Sequence, residues 1–207
     1  MPRLTDATKA ARRAQIIEAA ISCFLEKGYT NTSMSDIIKA SGLSSGSIYS
    51  HFSGKEDILN TAINERLNNI KEIYETLPQG AGPQDILETI HTNQLVNDNF
   101  SAMLRIRAKS LHAPEIARAT ADTMPLLQGI IVKTLTPWAA EQLSVLHEIN
   151  PNSAQRTPEQ EALIADYARD TADAFMMVFQ GYMLRSFFGT PKEKDRLYRV
   201  ASALLPE

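Results

Sequence analysis

The chain holds 207 residues, 43% hydrophobic and 22% charged, with one cysteine and a formal net charge of −3. Those proportions exclude a disordered chain and a disulfide-stapled one, and they predict a globular protein with enough apolar side chains for a real core. The longest apolar run, Ala174 to Phe179, is too short to cross a bilayer, and no apolar stretch follows Arg3, Lys9, Arg12 and Arg13 to make a signal peptide. The expected location is therefore the cytoplasm, with no membrane partner. Charge is unevenly spread. Residues 1–15 carry four basic side chains and one acid, Asp6, whereas residues 61–207 carry 14 basic and 18 acidic ones. A basic N-terminal arm on an acidic body suits a protein whose small end meets phosphate.

In chain order, apolar spacing predicts helix nearly throughout and no period-two strand, hence an all-α fold. A first helix spans about residues 8–27, with Ile17, Ile21, Phe24 and Leu25 on one face and Gly28 as its stop. Ser33 followed by Asp36 reads as a capping box ahead of a short helix through Ala40. Gly42 sits where the chain leaves that helix sharply, and Ser44 offers an N-cap oxygen to the next one. Two short helices joined by such a turn make a helix-turn-helix, the unit that places one helix in the major groove of DNA. Ser53-Gly54 breaks the chain before a long helix through Leu77, and Pro78 to Pro83 is a loop. Further helices are expected at about 84–97 and 99–112, then a segment from Pro114 to Met124. A new helix is expected to start at Pro125, with a kink or break near Thr136 before Pro137. Pro158 opens a long helix ending near Gly189, and Pro191 opens the last.

Within the motif, Ile48 and Phe52 lie four apart and anchor one face of the second helix in a small three-helix core. The other face carries Ser45, Ser47, Tyr49, Ser50 and His51, and Gly46 lets the backbone come close to a phosphate or a base edge. No arginine or glutamine stands on that face to read a base bidentately, so the operator sequence does not follow from it.

Residues from about 10 to 60 resemble the N-terminal domain of the TetR family of bacterial transcription regulators. The matching residues are Ile17, Ala20, Phe24, Gly28, Tyr29, Thr32, Ile37, Gly42, Ser44, Gly46, Ile48, Tyr49, His51, Phe52, Lys55, Glu56 and Leu59. One departure is Ile38, where the family commonly has a small alanine. The resemblance implies that Tyr49 and Lys55 hold the DNA backbone. It makes Ser33, Ser35, Ser45, Gly46, Ser47 and His51 candidate contacts, with the N-cap Ser44 placed among them. It also implies a division into a three-helix DNA-binding domain, residues 1–54, and a larger helical domain, residues 55–207, for a small-molecule effector and for dimerisation. The function so implied is a homodimeric repressor on a palindromic operator, released by its effector.

Residues 166–188 are apolar nearly all round toward their end, so two sides of that helix need covering. One side suits a ligand pocket, and the other suits a partner subunit, together with the last helix. Candidate pocket residues are Phe100, Met103, His112, Trp138, Tyr167, Phe175, Met176, Phe179 and Met183, aromatics and methionines that make an adaptable apolar lining. Enzyme chemistry is not expected. His51, His91, His112 and His147 have no metal-ligand spacing, so neither a metal nor another cofactor is implied, and no Gly-x-Ser-x-Gly elbow occurs. Ser53-Gly54-Lys55 ends like a phosphate loop, but Tyr49 stands where that loop needs glycine. The alternative is an all-helical protein interaction module that does not bind DNA.

Overall fold

A computed structural model describes residues 5–109, 113–147, 149 and 155–206; among them are nine α-helices and no strand. Thr5 caps α1 (Asp6–Lys27), accepting from the Thr8 N–H. α2 (Met34–Ser41), α3 (Ser45–Tyr49) and α4 (Lys55–Glu75) follow, then α5 (Pro83–Thr92), α6 (Gln94–Lys109), α7 (Pro114–His147), α8 (Pro158–Phe188) and α9 (Pro191–Ala203). Four of these begin with proline, which lacks only an N–H that the first turn leaves unused. Thr157 and Thr190 cap α8 and α9 with complete capping boxes, closed by Gln160 and Glu193. At α5 only half the box exists, because Gly82 has no side chain; the Asp85 carboxylate accepts from the Gly82 N–H at 2.8 Å.

Packing groups the described residues into two units. One runs to Asn68 and takes in Ser101–Thr123; the other comprises Asn69–Phe100 and the chain from Met124 onward. In the first, Ile16, Ala20, Phe24, Ile37, Ile48 and Ile58 are fully buried around Phe52 and Tyr29. Each buried isoleucine or phenylalanine contributes about 2 kcal/mol. Ile38 packs partly buried against this core, and Ile106, Ala113 and Ile116 close it from far along the chain.

The second unit is centred on Leu87, Leu135, Ala139, Ala168 and Phe175, all fully buried. Phe179 stacks on Phe175 at 5.9 Å between ring centroids and meets Phe100 edge-on at 5.8 Å. His91 ties three helices of this unit together. Its Nδ1 lies 2.6 Å from the Tyr182 hydroxyl on α8, and its ring stacks on Tyr198 of α9 at 4.2 Å. Burial pushes the Tyr182 phenol up to about 12 and, with Lys194 nearby, lowers the His91 pKa.

The helix start expected at Pro125 and a break before Pro137 are corrected. Pro125 opens no helix and Pro137 ends none; both lie inside α7, which runs unbroken for 34 residues. The helix survives because both prolines are on its exposed side. The carbonyls they leave without a partner belong to Ala121 and Lys133, also exposed, where water takes the place of the missing N–H. Ile131, Leu135, Trp138, Ala139 and Leu143 meanwhile hold the opposite side in the core. The hydroxyls of Thr134 and Thr136 bond back to the carbonyls of Ile130 and Val132. The break expected between 97 and 99 falls instead at Asn93, whose N–H bonds to the Thr89 carbonyl.

Candidate nucleic-acid interface

The recognition element is built from its caps. Ser33 accepts from the Asp36 N–H at 3.2 Å, and Asp36 returns a bond to the Ser33 N–H at 2.9 Å, so α2 starts with two orphan donors satisfied. Asp36 also meets the Lys27 ammonium at 2.6 Å, fastening α2 to the end of α1. That hydrogen bond, with those from Ser33, holds the Asp36 carboxyl well below the usual carboxylate range. Gly42 then takes φ +68°, the left-handed cap that reverses the chain in one residue. Gln15 reaches from α1 to the Ser41 carbonyl at 2.7 Å. Ser44 caps α3 by accepting from the Ser47 N–H at 3.2 Å.

α3 is shorter than its apolar spacing suggested. It ends at Tyr49, and Ser50 turns its hydroxyl onto the Ser47 carbonyl at 2.7 Å. Phe52 follows the helix, yet its ring is still driven into the core. Ile48 is fully buried on the inner side of α3, while Tyr49 is 53% exposed on the outer side. Ser33, Ser35, Ser44, Ser45 and Gly46 are exposed as well. Nothing lies within 4 Å of where a Cβ on Gly46 would stand, so a phosphate or base edge has room there. His51 is half-buried, its ring 6.5 Å from that of Phe52.

Two predicted contacts are placed differently. The Ser47 hydroxyl oxygen is covered and has no hydrogen-bond partner among the described residues, so it does not face outward with its neighbours. Lys55 is turned inward too. Its ammonium donates to the carbonyls of Tyr29 at 2.9 Å, Thr32 at 3.0 Å and Thr30 at 3.4 Å, and lies 4.4 Å above the Tyr29 ring. Three donors meet three acceptors, so in this arrangement Lys55 fastens the α1–α2 connection. Thr32 secures the same connection from inside, its hydroxyl bonding the Gly28 carbonyl at 2.8 Å.

Sequence reasoning missed Arg13. Its guanidinium bonds Thr61 at 3.2 Å, approaches Glu65 at 3.7 Å and lies 4.7 Å over the Phe52 ring, so it braces α1 against α4. No spacing rule pairs residues 48 apart, and the basic arm alone read as a phosphate attractor. Lys39, exposed on α2 next to the turn, makes no ion pair among the described residues and was also missed.

Seven of the nine predicted pocket residues fall within the second unit, mostly as core. Phe175, Met183 and Trp138 are buried, and Phe100, Tyr167, Met176 and Phe179 pack half-buried against them. His112 and the Met103 side chain lie outside the described residues. A cleft of about 430 Å³ in the same unit takes only Trp138 from that set. Among the described residues, no group of three or more potential metal ligands is assembled, and no helix is long and apolar enough to cross a membrane.

Residues 16–62 match the model of the bacterial regulatory proteins of the tetR family. Over those residues the chain is similar to the TetR family. The matched residues, 16–62, carry the helix-turn-helix, the DNA-binding element of regulators of this kind. The chain is 32% identical over 114 residues to the regulator BetI of Stenotrophomonas maltophilia, covering 52% of this chain and 58% of that one. It is 32% identical over 85 residues to the transcriptional repressor KstR2 of Rhodococcus jostii, covering 41% and 42% of the two chains. The match thus spans about half the length of these curated relatives. Salmonella enterica GusR superposes with a TM-score of 0.60 over 99% of both chains at 19% identity, which shows a shared fold beyond the matched residues.

Proposed function

We propose that this protein is a homodimeric transcriptional repressor that binds a palindromic operator and is released by a small-molecule effector. The observation that carries the reading is the geometry of α2, the Gly42 turn and α3. A left-handed glycine and two N-caps hold a short helix whose inner residue is fully buried and whose outer surface is free. On that surface Tyr49 and His51, with Ser45 and Gly46, meet the duplex, and the exposed Ser33 and Ser35 flank it. Tyr49 grips phosphate. Lys55 supports the interface from behind, by fixing the connection that precedes α2.

The functional division falls near residue 54, with DNA reading in residues 1–54 and effector binding and dimerisation in residues 55–207. α8 and α9 carry the dimer surface. Met177, Leu184 and Phe188 recur at positions 0, 7 and 11 along α8 and are 70%, 47% and 79% exposed. Gly181 completes that stripe with open space at its missing Cβ. Val200 and Leu204 continue the apolar surface on α9, at 52% and 68% exposed. Large apolar side chains gathered this way are a protein contact surface, and a second copy of the chain covers them. α4 supplies residues to both units and couples effector to DNA; the effector must prefer one conformer, or it shifts nothing. The relatives are named as regulators and the reading assigns no enzyme activity, in a cytoplasmic protein.

The test is binding to duplex DNA as a function of salt. Log affinity falls steeply with log salt when phosphates are neutralised. Absence of binding to any duplex at low salt, including the DNA flanking the protein's own gene, overturns the reading in favour of a protein interaction module.

A further inference from the structure

His91 sits where α5, α8 and α9 pack on one another, and only 18% of its side chain is exposed. Its two ring nitrogens face different partners. Nδ1 is 2.6 Å from the Tyr182 hydroxyl on α8, and Nε2 is 3.6 Å from an Asp195 carboxylate oxygen on α9. A carboxylate only accepts, so Asp195 selects the neutral tautomer that carries its proton on Nε2. Nδ1 is then an acceptor, and Tyr182 donates to it. The Tyr182 phenol keeps its own proton throughout, because burial pushes its pKa up to about 12.

The second observation lies one turn further along α8. The Ser186 hydroxyl oxygen is covered and makes no hydrogen bond among the described residues. It stands close enough to the Tyr182 hydroxyl to lower that phenol's pKa. A covered hydroxyl without a partner is unfavourable, and an acceptor placed beside a donor that is engaged elsewhere accounts for it. The remaining groups around His91 are Glu88 on its own helix and, on α9, Lys194, Asp195 and the Tyr198 ring stacked on it at 4.2 Å. Burial first and Lys194 second lower the His91 pKa from its ordinary 6.5, against the pull of Asp195 and Glu88.

We propose that His91, Tyr182 and Ser186 form a hydrogen-bond switch, thrown by proton uptake at His91, which makes the α5–α8–α9 joint responsive to weak acid. The neutral imidazole takes one proton from water at Nδ1. The Tyr182 hydroxyl then rotates about its C–O bond and carries its hydrogen from Nδ1 to Ser186 Oγ. The Tyr182 oxygen accepts from the new Nδ1–H, while Asp195 faces a cation through Nε2–H. Without Ser186, the rotated phenol hydrogen has no acceptor in this joint, since the Nδ1 that held it has become a donor. α8 and α9 carry the proposed dimer surface, so the switch adds a pH input to the proposed repressor. It rests on that reading for this consequence alone.

The test is an NMR titration of the histidines in the full-length protein, with His91→Gln identifying the His91 signal among the four. Ser186→Ala removes the second acceptor and leaves the neutral state intact. The His91 pKa is expected to fall by about half a unit or more, the equivalent of one hydrogen bond. In a Tyr182→Phe background the same serine change is expected to shift nothing, because no phenol hydrogen remains to be placed. The neutral joint's contribution to stability is complete above about pH 6.5 and is lost as the pH falls toward the folded value. Melting of the parent is therefore expected to drop on mild acidification by more than melting of His91→Gln. The switch is overturned by an unchanged His91 pKa in Ser186→Ala, by an equal fall in the Tyr182→Phe background, or by parallel melting profiles. A protein that binds duplex DNA but shows no serine effect refutes the switch alone. One that shows the effect but binds no DNA refutes the regulator reading alone.

Discussion

Gly42 and Lys55 carry the interface's geometry at the scale of single residues. No atom comes within 4 Å of a Cβ on Gly42, so Gly42→Ala meets no clash; its whole cost is the left-handed φ of +68°. That cost is about 1 kcal/mol, a fall of about 2–4 °C in melting temperature, and asparagine recovers part of it. Lys55→Met removes three N–H donors, two of them from the part-buried carbonyls of Tyr29 and Thr32. A loss of about 2 kcal/mol is expected, with faster amide exchange in the Tyr29–Thr32 connection and weaker binding to every duplex alike. A phosphate-gripping Lys55 predicts the opposite pattern, unchanged melting and a salt slope shallower by about one. Gly42 was legible in the sequence because a glycine between two short amphipathic segments has one economical use. The placement of Lys55 was not, since its acceptors are main-chain carbonyls 23 to 26 residues earlier, and main chain leaves no mark in a residue pattern.

At the scale of elements, the capping box of α2 makes an acid-sensitive joint. Asp36 is held below its ordinary pKa by the Lys27 ammonium first and by Ser33 second. The folded state therefore binds that proton less readily than the unfolded state does. Its contribution is complete above about pH 4 and is lost as the pH falls from there toward the folded value. Asp36→Asn is expected to melt below the parent at pH 7, with the gap narrowing steadily under pH 4. A gap that is constant with pH shows that the joint depends on shape and not on charge. Helix starts were readable because their signals are local: Ser33 with Asp36, Pro158 and Pro191 each announce the turn they serve. α7 was misread for the converse reason. A proline rule is also local, whereas the burial of Leu135, Trp138 and Ala139 that keeps this helix together comes from distant partners.

For the whole molecule, the proposed dimeric repressor depends on an α8–α9 surface that a single copy leaves uncovered. Leu184→Glu puts a carboxylate in the middle of the exposed α8 stripe, where burial without a partner costs several kcal/mol. The expected result is a monomer by sedimentation, with native helicity and operator affinity lowered tenfold or more, because two half-sites are no longer held together. A dimer of unchanged strength moves the interface elsewhere. The all-helical class and the motif were legible, being written in 3.6-residue spacing and in caps. The closing of the N-terminal core by Ile106, Ala113 and Ile116 was not, because nothing in one apolar face names the face it will meet.

α7 has a mechanical consequence. Pro125 and Pro137 each delete one rung of the backbone ladder, and Met124, beside the first, is where the second packing unit begins. A rod notched twice does not bend as one piece. Its stiffness is that of three shorter rods, and the stretch between the notches is able to unwind and rewind without disturbing the turns on either side. Amide exchange along α7 is therefore expected to resolve into three blocks with separate opening rates, their limits at the two prolines.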